Sequence, residues 1–226
     1  MPVHSAPWKI AHVVFLLCSI ILCAQAFPVW PAESRLIATV PALGVRSDGL
    51  TGVVHYIVLQ IDKGPRQDGP TVQFNEINLG GGSRVSEDWK EGIRQAVAAA
   101  TQAVGEEGRD WVITVKNRSY NALTEGVSAS GAVAVGLVAA WRGDHVKPDV
   151  ALTGKILPDG RIEPVGGLLS KIEAAAREQF TTILVPRGQP DTADRDFSQL
   201  AARWNIKVIE VATLEEAYQL MTTARR

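Results

Sequence analysis

The stretch Ala129 to Trp141 narrows the choice of fold more than any other part of this chain. It is apolar and helix-like, carries no charge, and is too short to cross a membrane. Ser128 stands at its start, and Lys171 follows 43 residues later, just beyond a Gly166-Gly167 turn. A serine hydroxyl needs a base before it can attack a carbonyl. The usual base is scarce: the four histidines are His4, His12, His55 and His145, and the first two fall in an apparent targeting segment. If the chain performs nucleophilic chemistry, a lysine is the better candidate to drive it.

Of the 226 residues, 46% are hydrophobic and 21% charged, which is the composition of a globular domain with a sizeable core. The formal net charge of −1 gives no electrostatic reason to expect nucleic acid as a partner. No repeat or low-complexity tract stands out.

Residues 1–26 differ in kind from the rest. Lys9 precedes an apolar stretch from Val13 to Cys23 that exits through Ala24-Gln25-Ala26, the pattern of a secretory signal peptide. The alternative is an uncleaved anchor, since residues 10–30 approach spanning length and would tether the chain to a membrane. Under either reading the remainder is expected outside the cytoplasm: periplasmic, secreted or membrane-anchored. Residues 27–41 are then a linker and 42–226 the functional domain. Both cysteines, Cys18 and Cys23, lie in the first segment, so the domain has no thiol for a disulfide, a nucleophile or a thiolate metal site.

Leu36 to Val45, Gly52 to Ile61 and Val72 to Leu79 read as strands. The Gly80-Gly81-Gly82 loop lacks the context of a phosphate cradle and reads as a turn before a helix. Ser86 with Glu87 and Asp88 starts that helix, and Gly105 ends it. Trp111 to Val115 is a strand. Val150 to Ile156 and Arg161 to Val165 form a hairpin about Asp159-Gly160. Leu168 to Phe180 is a helix, Thr182 to Val185 and Lys207 to Val211 are strands, and Thr213 to Glu216 is a capping box opening the last helix. Strands and helices without strict alternation predict an α+β fold.

Glu125-Gly126-Val127-Ser128-Ala129-Ser130 is a loop of small residues leading into a helix amino terminus. A substrate backbone can approach there, and free N–H groups at the positive end of the dipole favour an oxyanion. Taken locally, Ser128 is better explained as a helix cap than as a nucleophile. Lys171 falls at the start of a helix, where the dipole disfavours a cation, with Leu168, Leu169, Ile172 and Ala175 around it. Facing inward it would be desolvated and its pKa lowered; facing outward it is an ordinary solvated lysine. His145, beside Asp144, reads as part of a solvated connector. His55 and His145 show no ligand spacing, so no metal site is expected, and no cofactor. The scattered tryptophans read as core or interface residues.

From Glu125 onward the chain resembles the proteolytic domain of Lon proteases, most closely in motif the archaeal membrane-bound type. The stretches that carry the resemblance are EGVSAS at 125–130, DVALTGKILPDGRIEPVGGLLSKIEAAA at 149–176 and TTILVP at 181–186. The spacing of Ser128 and Lys171 also equals that of the family's serine and lysine. The resemblance implies a compact α+β domain and an endopeptidase with a Ser–Lys dyad, in which Ser128 is the nucleophile and Lys171 the general base. Thr153 matches the threonine that orients the lysine, Glu125 an acidic position near the serine, and Gly126 and Ala129 the residues flanking the motif's centre. Val127 departs from the family's Pro or Asp, and Gly131 from a larger apolar residue.

The resemblance covers roughly Ala42 to Thr213. This sequence has no Walker A loop, so the expectation is an ATP-independent peptidase acting on unfolded or extended polypeptide. Homo-oligomers are within the family's habit. The competing expectation is a non-catalytic envelope scaffold or binding protein that retains a peptidase fold.

Overall fold

The computed structural model describes residues 35–46, 49–75, 84–118, 123–189 and 202–225. The signal-peptide or anchor segment and the Gly80-Gly81-Gly82 loop lie outside them. Among the described residues no helix is long and apolar enough to cross a membrane.

In chain order the strands are β1 (Leu36–Val45), β2 (Gly52–Lys63), β3 (Thr71–Asn75), β4 (Arg84–Val85), β5 (Trp111–Arg118), β6 (Leu123–Thr124), β7 (His145–Val146), β8 (Val150–Leu152), β9 (Lys155–Ile156), β10 (Ile162–Glu163), β11 (Thr182–Pro186), β12 (Lys207–Val211) and β13 (Thr222–Thr223). The helices are α1 (Glu87–Val104), α2 (Ser130–Arg142), α3 (Leu168–Arg177) and α4 (Leu214–Met221). β1 therefore begins inside the segment read as a linker: residues 36–41 are sheet.

One seven-stranded sheet, in the order β12-β11-β8-β1-β2-β5-β3, organises the molecule. β1 and β2 pair antiparallel from Leu36 opposite Ile61 to Val45 opposite Gly52, and β5 continues antiparallel on β2. β8, β11 and β12 add in parallel on the other side of β1. The sheet is mixed, which is consistent with an α+β fold. Along β2 the residues His55, Ile57, Leu59 and Ile61 are buried while their neighbours are less so, the period of a strand with one well-covered face.

That face is covered by α2. Every residue from Ser130 to Ala140 is buried, which a helix without a polar side tolerates only between other elements. α2 lies with β1 and β2 on one side and α1 and α4 on the other, in a core that includes Val40, Leu59, Val133, Leu137 and Ile93. Gly136 lets it come close: a Cβ there would lie 2.4 Å from a Val40 methyl and 2.6 Å from Leu59 Cδ1. α3 packs on the opposite face, where Leu168, Ile172 and Ala175 meet Leu43, Ala151 and Ile183. Its approach is set by Gly52, at which a Cβ would fall 1.8 Å from the Ser170 carbonyl oxygen.

Ser86 caps α1 by accepting the Trp89 N–H at 3.1 Å, and Gly105 closes it at φ 71°. Thr213 accepts the Glu216 N–H at 3.3 Å, while the Glu216 carboxylate reaches Ala212 N–H at 2.7 Å, one residue before the cap. Two expectations need correction. The helix from Leu168 stops at Arg177, because Gln179 turns left-handed at φ 62° and returns Phe180 to the core. The strand expected over 150–156 is two strands in different sheets, broken at Thr153-Gly154.

Candidate active site

The break at Thr153-Gly154 is where the site is assembled. Having left the central sheet, this segment spends its polar groups on two other parts of the chain. Gly154 N–H donates to the Ser128 carbonyl at 2.9 Å, and Gly131 N–H donates to the Gly154 carbonyl at 3.0 Å. Two residues further on, Ile156 N–H donates to Ser130 Oγ at 3.0 Å, and that hydroxyl donates in turn to the Val127 carbonyl at 2.7 Å. The loop bearing Ser128 is thus stitched to residues 154–156 from both sides. The same segment holds the lysine: Lys171 Nζ donates to Thr153 Oγ1 at 3.1 Å.

Thr153 is fully buried and Lys171 is only 3% exposed. Burial lowers the Lys171 pKa from 10.5 to about 8, because the charged form loses its hydration. The inward-facing alternative for Lys171 is the one the fold adopts. α3 supplies the buried position near its start, and Gly167, the residue before the helix, sits at φ 70°. Lys171 N–H bonds the Gly167 carbonyl at 3.1 Å, so the lysine is tied to the turn that precedes its helix.

Ser128 and Lys171 line one cavity of about 400 Å³. Its walls are Gly44, Val45 and Gly49 from the end of β1 and the turn after it, Glu125 to Val127, and Pro164 to Gly167. Ser128 is not a helix cap: Ala129 occupies that position in α2, with no side-chain capping bond. Among the described residues the Ser128 hydroxyl makes no hydrogen bond, and the N–H groups of Ser128 and Ala129 donate to no acceptor. Both N–H groups stand at the amino end of α2, where partial positive charge accumulates. A hydroxyl and a buried amine therefore border one space, beside two free N–H donors at the amino end of α2, an arrangement suited to acyl transfer.

The departures at Val127 and Gly131 have local reasons. Val127 packs over Gly92 of α1, where a Cβ would lie 3.2 Å from Val127 Cα. At Gly131 a Cβ would lie 3.1 Å from the Gly154 carbonyl and 3.2 Å from Leu152 Cδ2, so a larger residue would push residues 128–131 and 154 apart. Gly126 adopts φ 79°, which turns the chain into the Ser128 loop. Glu125 is exposed at the cavity and makes no ion pair among the described residues.

His145 is exposed at the far end of α2 from Ser128, about 20 Å away at the helical rise, and Asp144 takes a hydrogen bond from the Tyr218 hydroxyl. Among the described residues no three His, Cys, Asp or Glu side chains cluster to hold a metal ion. Trp89 and Trp111 are core residues, and Trp111 packs against Trp141 with ring centroids 4.4 Å apart. Sequence reasoning missed Ser130, whose partner Ile156 is remote in the chain, and His55. His55 is buried behind the cavity wall: a Cβ on Gly44 would lie 2.7 Å from its Nε2. No spacing marked either residue.

Residues 112–223 match the Lon protease (S16) C-terminal proteolytic domain. The chain is 35% identical over 95 residues to the Lon protease of Vibrio parahaemolyticus, covering 39% of this chain and 12% of that protein. It is 33% identical over 106 residues to the Lon protease of Mycolicibacterium smegmatis, covering 44% and 14%. It is 25% identical over 150 residues to the archaeal Lon protease of Archaeoglobus fulgidus, covering 66% and 24%. The matched region spans less than a quarter of the length of these relatives; Ser128 and Lys171 lie within residues 112–223, while the cavity walls Gly44, Val45 and Gly49 lie outside them. Residues 112–223 are therefore similar to the proteolytic domain of Lon proteases.

Proposed function

We propose that this chain is a serine endopeptidase with a Ser128–Lys171 dyad, cutting unfolded or extended polypeptide without ATP and outside the cytoplasm. The observation that carries the reading is the buried Lys171 amine, held by Thr153 and bordering the same cavity as Ser128. With its proton lost, Nζ offers a lone pair while Thr153 fixes its direction. The Ser128 hydroxyl proton passes to Nζ as Oγ bonds the scissile carbonyl carbon. The oxyanion that forms is taken up by the free N–H groups of Ser128 and Ala129. As the intermediate collapses, the C–N bond breaks and Lys171 returns its proton to the leaving amine. Water then attacks the acyl-enzyme, giving its proton to Lys171, and the Ser128 hydroxyl is restored.

The ATP-independent part of the reading rests on the sequence, which has no GxxxxGK[ST] element. The location rests on the signal-like pattern of residues 1–26. The test is hydrolysis of unfolded casein by the purified chain, with and without ATP. Ser128→Ala, Lys171→Ala and Lys171→Arg are each expected to abolish it with the fold intact, arginine because its guanidinium cannot lose a proton. Wild-type activity is expected to rise with pH through about 8 as Lys171 deprotonates, and to be unchanged by ATP. Full activity in either alanine variant sinks the dyad. A wild type inert at every pH favours the scaffold instead.

A further inference from the structure

The turn that carries the chain from β10 into α3 makes one wall of the cavity, yet its composition gives it little stiffness. Gly166 and Gly167 are adjacent and exposed, and Gly167 is left-handed at φ 70°. What fixes the turn is a side chain from elsewhere. Gln189 lies past the end of β11, in a turn closed by its own N–H on the Pro186 carbonyl at 3.1 Å, with Gly188 at φ 67°. Its Oε1 accepts the Val165 N–H at 3.0 Å, and its Nε2 donates to the Val165 carbonyl at 2.8 Å. One side-chain amide thus satisfies both main-chain groups of a single residue, as a neighbouring strand would. The amide group supplies a donor and an acceptor side by side; a carboxylate or an alkyl chain cannot.

We infer that Gln189 is a positioning residue for the proposed peptidase: by clamping Val165 it holds the 164–167 wall in place and keeps Lys171 closed off from water. The path is short. Val165, Gly166 and Gly167 line the cavity beside Lys171, and the Gly167 carbonyl accepts the Lys171 N–H. Released at Val165, a wall with two glycines would open toward solvent, rehydrating the amine and loosening its aim at Ser128. The inference rests on the dyad reading only for its kinetic consequence; its effect on the lysine does not require the chain to be a peptidase.

The test uses the full chain with Gln189→Ala and Gln189→Glu. The glutamate keeps an acceptor for Val165 N–H but sets an oxygen against the Val165 carbonyl. Lys171 is followed by NMR of ¹³Cε-labelled lysine across pH, assigned by its loss in Lys171→Met, and casein hydrolysis is measured on the folded fraction. In both variants the Lys171 midpoint is expected to move up from about 8 toward the ordinary lysine value. The pH of half-maximal activity should move with it, and kcat/KM should fall about ten- to a hundredfold through misplacement of the base. A role confined to folding would reduce the amount of native protein but leave both midpoints where they are. Unchanged midpoints and kcat/KM in a folded variant overturn the inference, as does collapse of the fold in both variants. A lysine midpoint that shifts while even the wild type hydrolyses nothing keeps Gln189 in its role and removes the peptidase reading alone.

Discussion

At neutral pH a lysine buried as deeply as Lys171 is protonated in a place that disfavours the charge. Its pKa gap, from 10.5 in the unfolded chain to about 8 in the fold, corresponds to about 3 kcal/mol of lost stability. The sign follows from proton counting. Between pH 8 and 10.5 the unfolded state holds more protons than the folded one, so stability rises with pH across that window and the cost is full below it. Lys171→Met should therefore stabilise the protein at pH 7. Leaving the Thr153 hydroxyl without its donor offsets about 1 kcal/mol, for a net gain of about 2 kcal/mol. Urea unfolding of both proteins checks this, and the advantage should vanish by pH 10.5. A variant less stable than wild type at pH 7 would mean that Lys171 is well solvated.

At the scale of elements, Thr153-Gly154 decides the most. A continuous strand over 150–156 would have satisfied β-propensity, but it would have left Ser128 and Lys171 without a common support. By leaving the sheet after Thr153, whose N–H still donates to the Leu184 carbonyl of β11 at 3.1 Å, the chain comes to hold the serine loop through Gly154 and Ile156 and the lysine through the Thr153 hydroxyl. α3 must then be held at a fixed height above β2, and Gly52 does this. In Gly52→Ala the new methyl would lie 1.8 Å from the Ser170 carbonyl oxygen, a backbone atom that cannot rotate away. We expect a loss of about 2 to 3 kcal/mol in denaturant unfolding, the range of overpacked cores. Because α3 carries Lys171, activity of the folded fraction should fall as well. A variant of wild-type stability would show that the contact between α3 and β2 yields easily.

The molecule as a whole answers to acid through His55. It is 7% exposed, and burial lowers its pKa from 6.5 to about 4. As pH falls from 6.5 to 4 the unfolded chain takes up a proton that the fold refuses, so stability should drop by about 3 kcal/mol across that window. Carboxylates titrate there too, so the measurement is the difference between wild type and His55→Gln, whose acid loss should be smaller by that amount. Equal slopes would mean that His55 is open to water. Much of this architecture is legible in the chain. Leu36–Val45, the α1 span with its Ser86 and Gly105 ends, and Lys207–Val211 form as their patterns predict, because caps, turns and period-2 burial are local properties. The EGVSAS and GGLLSK stretches single out Ser128 and Lys171 residue by residue, and the fold brings the two to one cavity. Sequence alone left open whether Lys171 faces water or the core, whether Ser128 is merely a cap, and what fastens the 164–167 turn. These depend on contacts between residues far apart in the chain: Thr153 with Lys171, Ile156 with Ser130, Gln189 with Val165. Burial and hydrogen bonding across such distances exist only once the sheet has brought the segments together, and that is why the tertiary structure alone decided them.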